Sequence, residues 1–203
     1  MSLIELVTAY GVFATEGVRA EPFAIRLVED AKGQVLEHRD EPETKEVLTK
    51  QTAYVVTNML QDVVRHGTGQ QAKALGRPLA GKTGTTNDFT DAWFVGFSPS
   101  LVAGVWVGFD DMRSLGNRES GAVAALPIWI PFMKAALADR PVEDFPVPEK
   151  IVTVRVDPAT GFLAPPGTES GVEEVFIKGT EPTMVARPVT SPARFFRMDL
   201  ASQ

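Results

Sequence analysis

The stretch GRPLAGKTGTTNDF, residues 76–89, concentrates the chain's candidate chemistry in Lys82, Thr83, Gly84 and Thr85. An ammonium beside hydroxyls and a glycine is an anion receptor, and two kinds of anion fit it. Read from Gly76, the spacing G-x-x-x-x-G-K-T is that of a P-loop, whose backbone N–H groups and lysine hold nucleotide phosphates. Read from Lys82, the same letters are a strand whose ammonium and hydroxyls hold a carboxylate. The flanking segments decide between them. A P-loop needs an apolar strand before the glycine and a helix starting at the Lys-Thr pair. Here TGQQAKAL, a polar loop, precedes Gly76, and GTTNDFTDAWFVGF follows Thr83. Gly84 is a poor first-turn residue, and the β-branched threonines favour extended backbone. The nearest thing to an apolar strand ending in a metal-binding aspartate is GVWVGF before Asp110 and Asp111. The phosphate reading is therefore set aside.

As a strand, the segment alternates faces, with Lys82 and Gly84 on one side and Thr83 and Thr85 on the other. Gly84 leaves room for a substrate backbone to approach and pair. The Thr85 N–H is available to stabilise an oxyanion. A ligand-free, solvated edge strand is the competing explanation of the same residues. Trp93, Trp106 and Trp129 lie in apolar runs and are expected in the core. Asp88 and Asp91 are expected to cap turns rather than line a cleft mouth, and Asp110 and Asp111 to end a strand in solvent. His38 and His66 fall in polar loops without a metal-ligand partner, so no metal and no cofactor is expected.

The elements around this strand follow from periodicity. Ile4, Leu6, Val7, Tyr10, Phe13 and Ala14 recur at helical spacing before Gly17. Residues 23–29 and 34–37 flank DAKGQ and predict a hairpin, with EHRDEPETKE a charged loop beyond it. Thr49 caps a predicted helix through QTAYVVTNMLQDVVRH, whose apolar face is Val55, Val56, Met59, Leu60, Val63 and Val64, ending at Gly67-Thr68-Gly69. AWFVGF and LVAGVWVGF, separated by Ser98-Pro99-Ser100, predict an antiparallel hairpin. AALPIWIPFMKAALADR is a third helix, with Pro127 in its first turn and Pro131 either there too or kinking it. From Arg140 onward prolines cluster between short strand-like pieces, IVTVRV and EVFI, so residues 140–203 read as a proline-rich appendage to a body spanning 1–139. The fold class is α+β: an antiparallel sheet with helices packed on it.

With 203 residues, 44% of them hydrophobic and 23% charged, the chain can bury a substantial core. A net charge of −6 and the lack of any Lys/Arg run disfavour nucleic acid as a partner. There is no cysteine, which excludes disulfides, thiolate metal sites and a cysteine nucleophile. The longest apolar stretch, 122–137, is interrupted by Pro127, Pro131 and Lys134 and is too short for a bilayer. No leader precedes the first helical pattern, and the Met1-Ser2-Leu3 start reads as that of a fragment.

AGKTGTTNDFTDAWFVGFSPSLVAGVWVGFDD, residues 80–111, closely resembles the active-site strand and following hairpin of bifunctional (class A) penicillin-binding proteins. The resemblance extends to IELVTAYGVFA, QTAYVVTNMLQDVVRHGTGQQAKAL, AALPIWIPFMKAAL and VEDFPVPEKIVTVRVDPATGFLA, most of residues 4–164; the last forty or so match loosely. It implies a partial serine β-lactamase/transpeptidase-like fold. In that family a serine in S-x-x-K attacks a D-Ala-D-Ala stem peptide and β-lactams trap the serine. By analogy Lys82 orders the cleft and bonds the serine of an S-x-N motif, Thr83, Gly84 and Thr85 bind the substrate, and the Thr85 N–H forms half of the oxyanion hole. Neither S-x-x-K nor S-x-N occurs in this chain. The resemblance thus implies a C-terminal portion of the transpeptidase domain, inactive alone, whose nucleophile lies upstream of residue 4 in a longer parent. The parent would be anchored in the bacterial cytoplasmic membrane, facing the periplasm or exterior, with peptidoglycan stem peptides and β-lactams as its partners. The fragment, with part of its sheet uncovered, is expected to self-associate. A different class of reading, a non-catalytic module binding a partner or glycan, draws on the missing S-x-x-K.

Overall fold

Ser2 opens the first helix by a reciprocal cap: its hydroxyl accepts the Glu5 N–H, and the Glu5 carboxylate accepts the Ser2 N–H at 2.7 Å. The bond from the Ser2 backbone holds the Glu5 carboxyl below the ordinary carboxylate range. The structure, a computed structural model, describes residues 1–167 and 171–187. These divide into two compact units, Met1–Glu149 and a second beginning at Lys150.

In the first unit, helix α1 (Leu3–Ala14) ends before Gly17, whose φ of 101° turns the chain sharply. Strand β1 (Val18–Ala20) follows, then the hairpin of β2 (Leu27–Glu29) and β3 (Val35–His38). Asp30 closes that turn by accepting the N–H groups of Lys32 and Gln34. The charged stretch expected as a loop contributes strand β4 (Thr44–Glu46), antiparallel to β1. All three β4 residues are exposed and polar, so no alternation betrays the strand. Its place is set from a distance, by the Gly17 carbonyl accepting the N–H groups of Val47 and Leu48.

Thr49 caps helix α2 (Lys50–Arg65), accepting the Thr52 N–H at 3.2 Å. Of the expected face, Val64 is buried and Leu60 packs against the core. Ala53, Thr57, Gln61 and Val64 form the fully buried stripe, while Met59 is 60% exposed. Small side chains let α2 lie close against α1, and Thr57 resolves its burial by donating to the Phe13 carbonyl at 3.4 Å. Beyond α2, the segment expected as a polar loop winds into a 3-10 turn, Gln70–Leu75.

Strands β5 (Ala80–Thr85), β6 (Asp91–Ser98) and β7 (Leu101–Gly108) form an antiparallel sheet in that order, so β5 is an edge. The hairpin of β6 and β7 turns at Ser98 and Leu101, as the sequence predicts. A wide π-type turn (Gly121–Ala125) runs into α3 (Leu126–Ala136), with Pro127 at its start and Pro131 inside it. Both sheet faces are covered. On one, Phe94 meets Trp129 edge-on at 5.0 Å, and the Trp129 indole donates to the Ala103 carbonyl at 3.0 Å. On the other, Phe97 meets Phe145 at 5.6 Å, with Tyr10, Phe13, Tyr54 and Leu60 around them. Burial there pushes the Tyr10 phenol up from its ordinary value.

Of the three tryptophans expected in the core, only Trp129 is fully buried; Trp93 is half-buried and Trp106 is 39% exposed. Trp106 points outward because β7 alternates and its indole has a polar partner at the sheet end.

In the second unit, β8 (Ile151–Val156) pairs antiparallel with β9 (Val172–Ile177). Leu163 bridges Val156 and Val185, and Val156 and Ala186 are buried. The units part at 149/150, since Phe145 belongs to the first core. Of the proline-rich stretch, residues 168–170 and 188–203 lie outside the described residues.

Candidate active site

The backbone of β5 decides what its open side can offer. The Thr86 N–H donates to the Asp91 carbonyl at 3.1 Å, toward β6. Successive residues of a strand turn their N–H and C=O to opposite sides. The Thr85 N–H and the Thr83 carbonyl therefore point away from β6, to the unpaired edge. The Lys82 ammonium reaches that carbonyl, donating to it at 2.9 Å. An extended ligand at this edge meets an acceptor at Thr83 and a donor at Thr85, the pattern another strand would pair with.

The side chains add charge and hydroxyls. Lys82 and Thr85 are exposed, and Thr83 and Gly84 are half-buried. Among the described residues no carboxylate lies within ion-pair distance of Lys82, so its charge is available to an anion. The Thr83 hydroxyl shares a hydrogen bond of 2.7 Å with the Thr68 hydroxyl. The Thr85 hydroxyl accepts the Gly121 N–H at 3.1 Å. Gly121 is tied to this position by space. A Cβ there would lie 2.1 Å from the Trp93 carbonyl oxygen and 2.6 Å from that of Gly84. The glycine in the strand has a structural duty as well. A Cβ on Gly84 would stand 3.1 Å from the Cβ of Trp93, its cross-strand partner.

Asp91 organises the turn between β5 and β6. Its N–H donates to the Thr86 hydroxyl at 2.8 Å, and its carboxylate accepts from Thr86, Thr90 and the Trp106 indole, the last at 2.7 Å. This fits the expected turn role and also explains the outward Trp106. Asp88 adopts a left-handed φ of 61°, and its carbonyl accepts the Ser114 hydroxyl at 2.8 Å. Asp110 and Asp111 are exposed after β7, with Asp111 at 3.5 Å from Arg113. His38 closes β3 at 3.1 Å from Asp40, and His66 caps α2.

Lys82, Thr83, Gly84 and Thr85 are thus together on one edge, and the structure adds Thr68 and Gly121 behind the two threonines. Neither was singled out from the sequence. A cue for Thr68 was its place in the Gly-Thr-Gly after α2; Gly121 lies thirty-six residues from Thr85 and offered no local sign.

The sheet, with a helix on either face and the Lys-Thr-Gly segment on its edge strand, is the arrangement with which the comparisons agree. The penicillin-binding protein transpeptidase domain matches residues 1–125, and the C-terminal domain of penicillin-binding protein 1A matches residues 147–187. The chain belongs to the penicillin-binding protein transpeptidase family. It is 49% identical over 179 residues to penicillin-binding protein 1A of Aquifex aeolicus, covering 88% of this chain and 24% of that protein. It is 37% identical over 232 residues to penicillin-binding protein 1A of Pseudomonas aeruginosa, covering 90% of this chain and 28% of that one. The crystal structure of penicillin-binding protein 1A from Haemophilus influenzae superposes with a TM-score of 0.83 at 33% identity, covering 92% of this chain and 33% of that chain. The chain thus spans about a quarter of the length of the curated relatives it matches. The fold is a partial α+β transpeptidase fold. Among the described residues no helix is long and apolar enough to cross a membrane.

Proposed function

We propose that this chain forms the sheet wall of the acyl-transfer cleft of a peptidoglycan D,D-transpeptidase. The observation that carries the reading is the open edge of β5, where an ammonium with no carboxylate partner among the described residues, two hydroxyls, the outward Thr85 N–H and the Thr83 C=O that the ammonium holds lie along one extended strand. In the reaction, the serine of an S-x-x-K motif elsewhere in a longer parent attacks the carbonyl between two D-alanines. Its oxygen forms an ester, and the terminal D-alanine leaves carrying the transferred proton. The amine of a neighbouring stem peptide then displaces the serine and forms the cross-link. Lys82 lowers the electrostatic cost of the anionic states in the cleft and donates to a serine of the helical wall. Thr83 and Thr85 donate to the terminal carboxylate of the stem peptide or of a β-lactam. The Thr85 N–H supplies half of the oxyanion hole, and the strand edge pairs with the peptide.

The parent acts at the bacterial cytoplasmic membrane, on its periplasmic or outer side, where the polymer lies. This chain alone lacks S-x-x-K and does not acylate. Its exposed apolar residues along α1 drive association with its own kind.

A fluorescent penicillin tests the reading. The full-length protein takes the label covalently and this 203-residue chain does not. A full-length protein that stays unlabelled with its serine intact overturns the assignment and leaves a non-catalytic binding module.

A further inference from the structure

We propose, resting on the function above, that Thr68 is a positioning residue that fixes Thr83 as a hydrogen-bond donor to the carboxylate of the acyl donor. A carboxylate accepts hydrogen bonds and donates none, so each threonine hydroxyl that serves it has to direct its single hydrogen outward. A hydroxyl does that best when its own oxygen is already occupied from behind by another donor. Thr85 has such a donor in the Gly121 backbone N–H, at 3.1 Å, which can only donate. Among the described residues no backbone donor stands behind the Thr83 hydroxyl; the Thr68 hydroxyl does, at 2.7 Å. With Thr68 donating to the Thr83 oxygen, the Thr83 hydrogen turns to the cleft. Both threonines then present donors side by side.

The local structure holds Thr68 in place. The chain leaving α2 folds back over the last turn: the Gly67 N–H donates to the carbonyls of Asp62 and Val63 at 3.0 and 3.1 Å, and the Gly69 N–H donates to Val63 at 2.9 Å. A Cβ on Gly67 would lie 2.9 Å from the Val63 Cα, so the turn closes this tightly only with glycine. The Gln70 side chain ties the segment to the His66 carbonyl at 2.7 Å. Thr68 is thereby carried at the tip of a turn anchored to α2, and α2 itself lies against β5. The hydroxyl is aimed across fifteen residues of sequence at one atom of the site strand.

The test compares two acyl donors in the full-length protein: a penicillin with its free carboxylate and the methyl ester of the same penicillin. Thr68→Val removes the hydroxyl and keeps the side-chain shape; Thr68→Ser keeps the hydroxyl. The expected result is that Thr68→Val lowers the second-order acylation rate for the carboxylate relative to the ester by about tenfold, one hydrogen bond to a charged group. Thr68→Ser restores the wild-type ratio. An unchanged ratio in Thr68→Val overturns the inference, whether both rates stay normal or both fall together, since the second pattern reports a displaced strand. A wild-type protein that is not acylated at all overturns the proposed function instead.

Discussion

Among the described residues no carboxylate compensates the charge of Lys82, whose ammonium donates to a neutral carbonyl on its own strand. An exposed ammonium contributes little to folding, so its removal separates function from stability. Lys82→Ala in the full-length protein is expected to slow acylation by a fluorescent penicillin about 10²–10³-fold, the range for losing one electrostatic stabiliser of an acyl-transfer site. The thermal unfolding midpoint should stay within about a degree or two, as for other exposed substitutions. Acylation near the wild-type rate would remove Lys82 from the mechanism. At this scale the sequence could point to a candidate site because the residues proposed for it are contiguous. Lys82, Thr83, Gly84 and Thr85 are neighbours, and a strand needs no tertiary information to bring them together. Gly84 reads differently once packed: its missing side chain makes room for Trp93 in the sheet, beside any service to a ligand.

Elements were readable where one pattern dominated. The helical spacing of α1, the Thr49 cap of α2 and the hairpin of β6 and β7 all follow from short-range rules and stand where those rules put them. The pair of β1 and β4 was not readable, since β1 is only three residues long, β4 is exposed and polar throughout, and the two are distant in sequence. The buried stripe of α2 was legible at Val64 and missed at Ala53, Thr57 and Gln61, whose small or polar side chains carry no apolar signal. The α3 contact gives the sharpest test of an element. Trp129 is fully buried, meets Phe94 edge-on and donates to the Ala103 carbonyl. Trp129→Ala therefore removes a large core side chain and leaves a buried carbonyl without its donor. The expected loss is about 3–5 kcal/mol, measured by urea unfolding followed by circular dichroism. A loss below about 1 kcal/mol would mean that α3 is not seated on the sheet as described.

For the whole molecule, the question is what covers α1. Ile4 is 57% exposed and Leu3 37%, and a groove of about 530 Å³ runs beside them, lined by Ile4, Ala9, Val12, Phe13, Pro22 and Leu48. Apolar surface of this kind is ordinarily covered. The isolated chain is expected to show a mass that rises with concentration in size-exclusion chromatography with light scattering, and Ile4→Glu to reduce that rise. A clean monomer across the concentration range would mean that the groove is not adhesive.

The family resemblance and the proposed chemistry of this chain rest on local sequence. The Lys-Thr-Gly-Thr strand and the helix and hairpin signals around it are carried by residues adjacent in the chain, and adjacent residues constrain one another without a fold. The tertiary structure decided the rest: which side of β5 is open, which threonine is backed by Thr68 and which by Gly121, and which tryptophan faces water. Each of these depends on contacts between segments far apart in sequence. Such contacts arise from packing and from the satisfaction of buried polar groups, and neither leaves a periodic trace in the residues that make them.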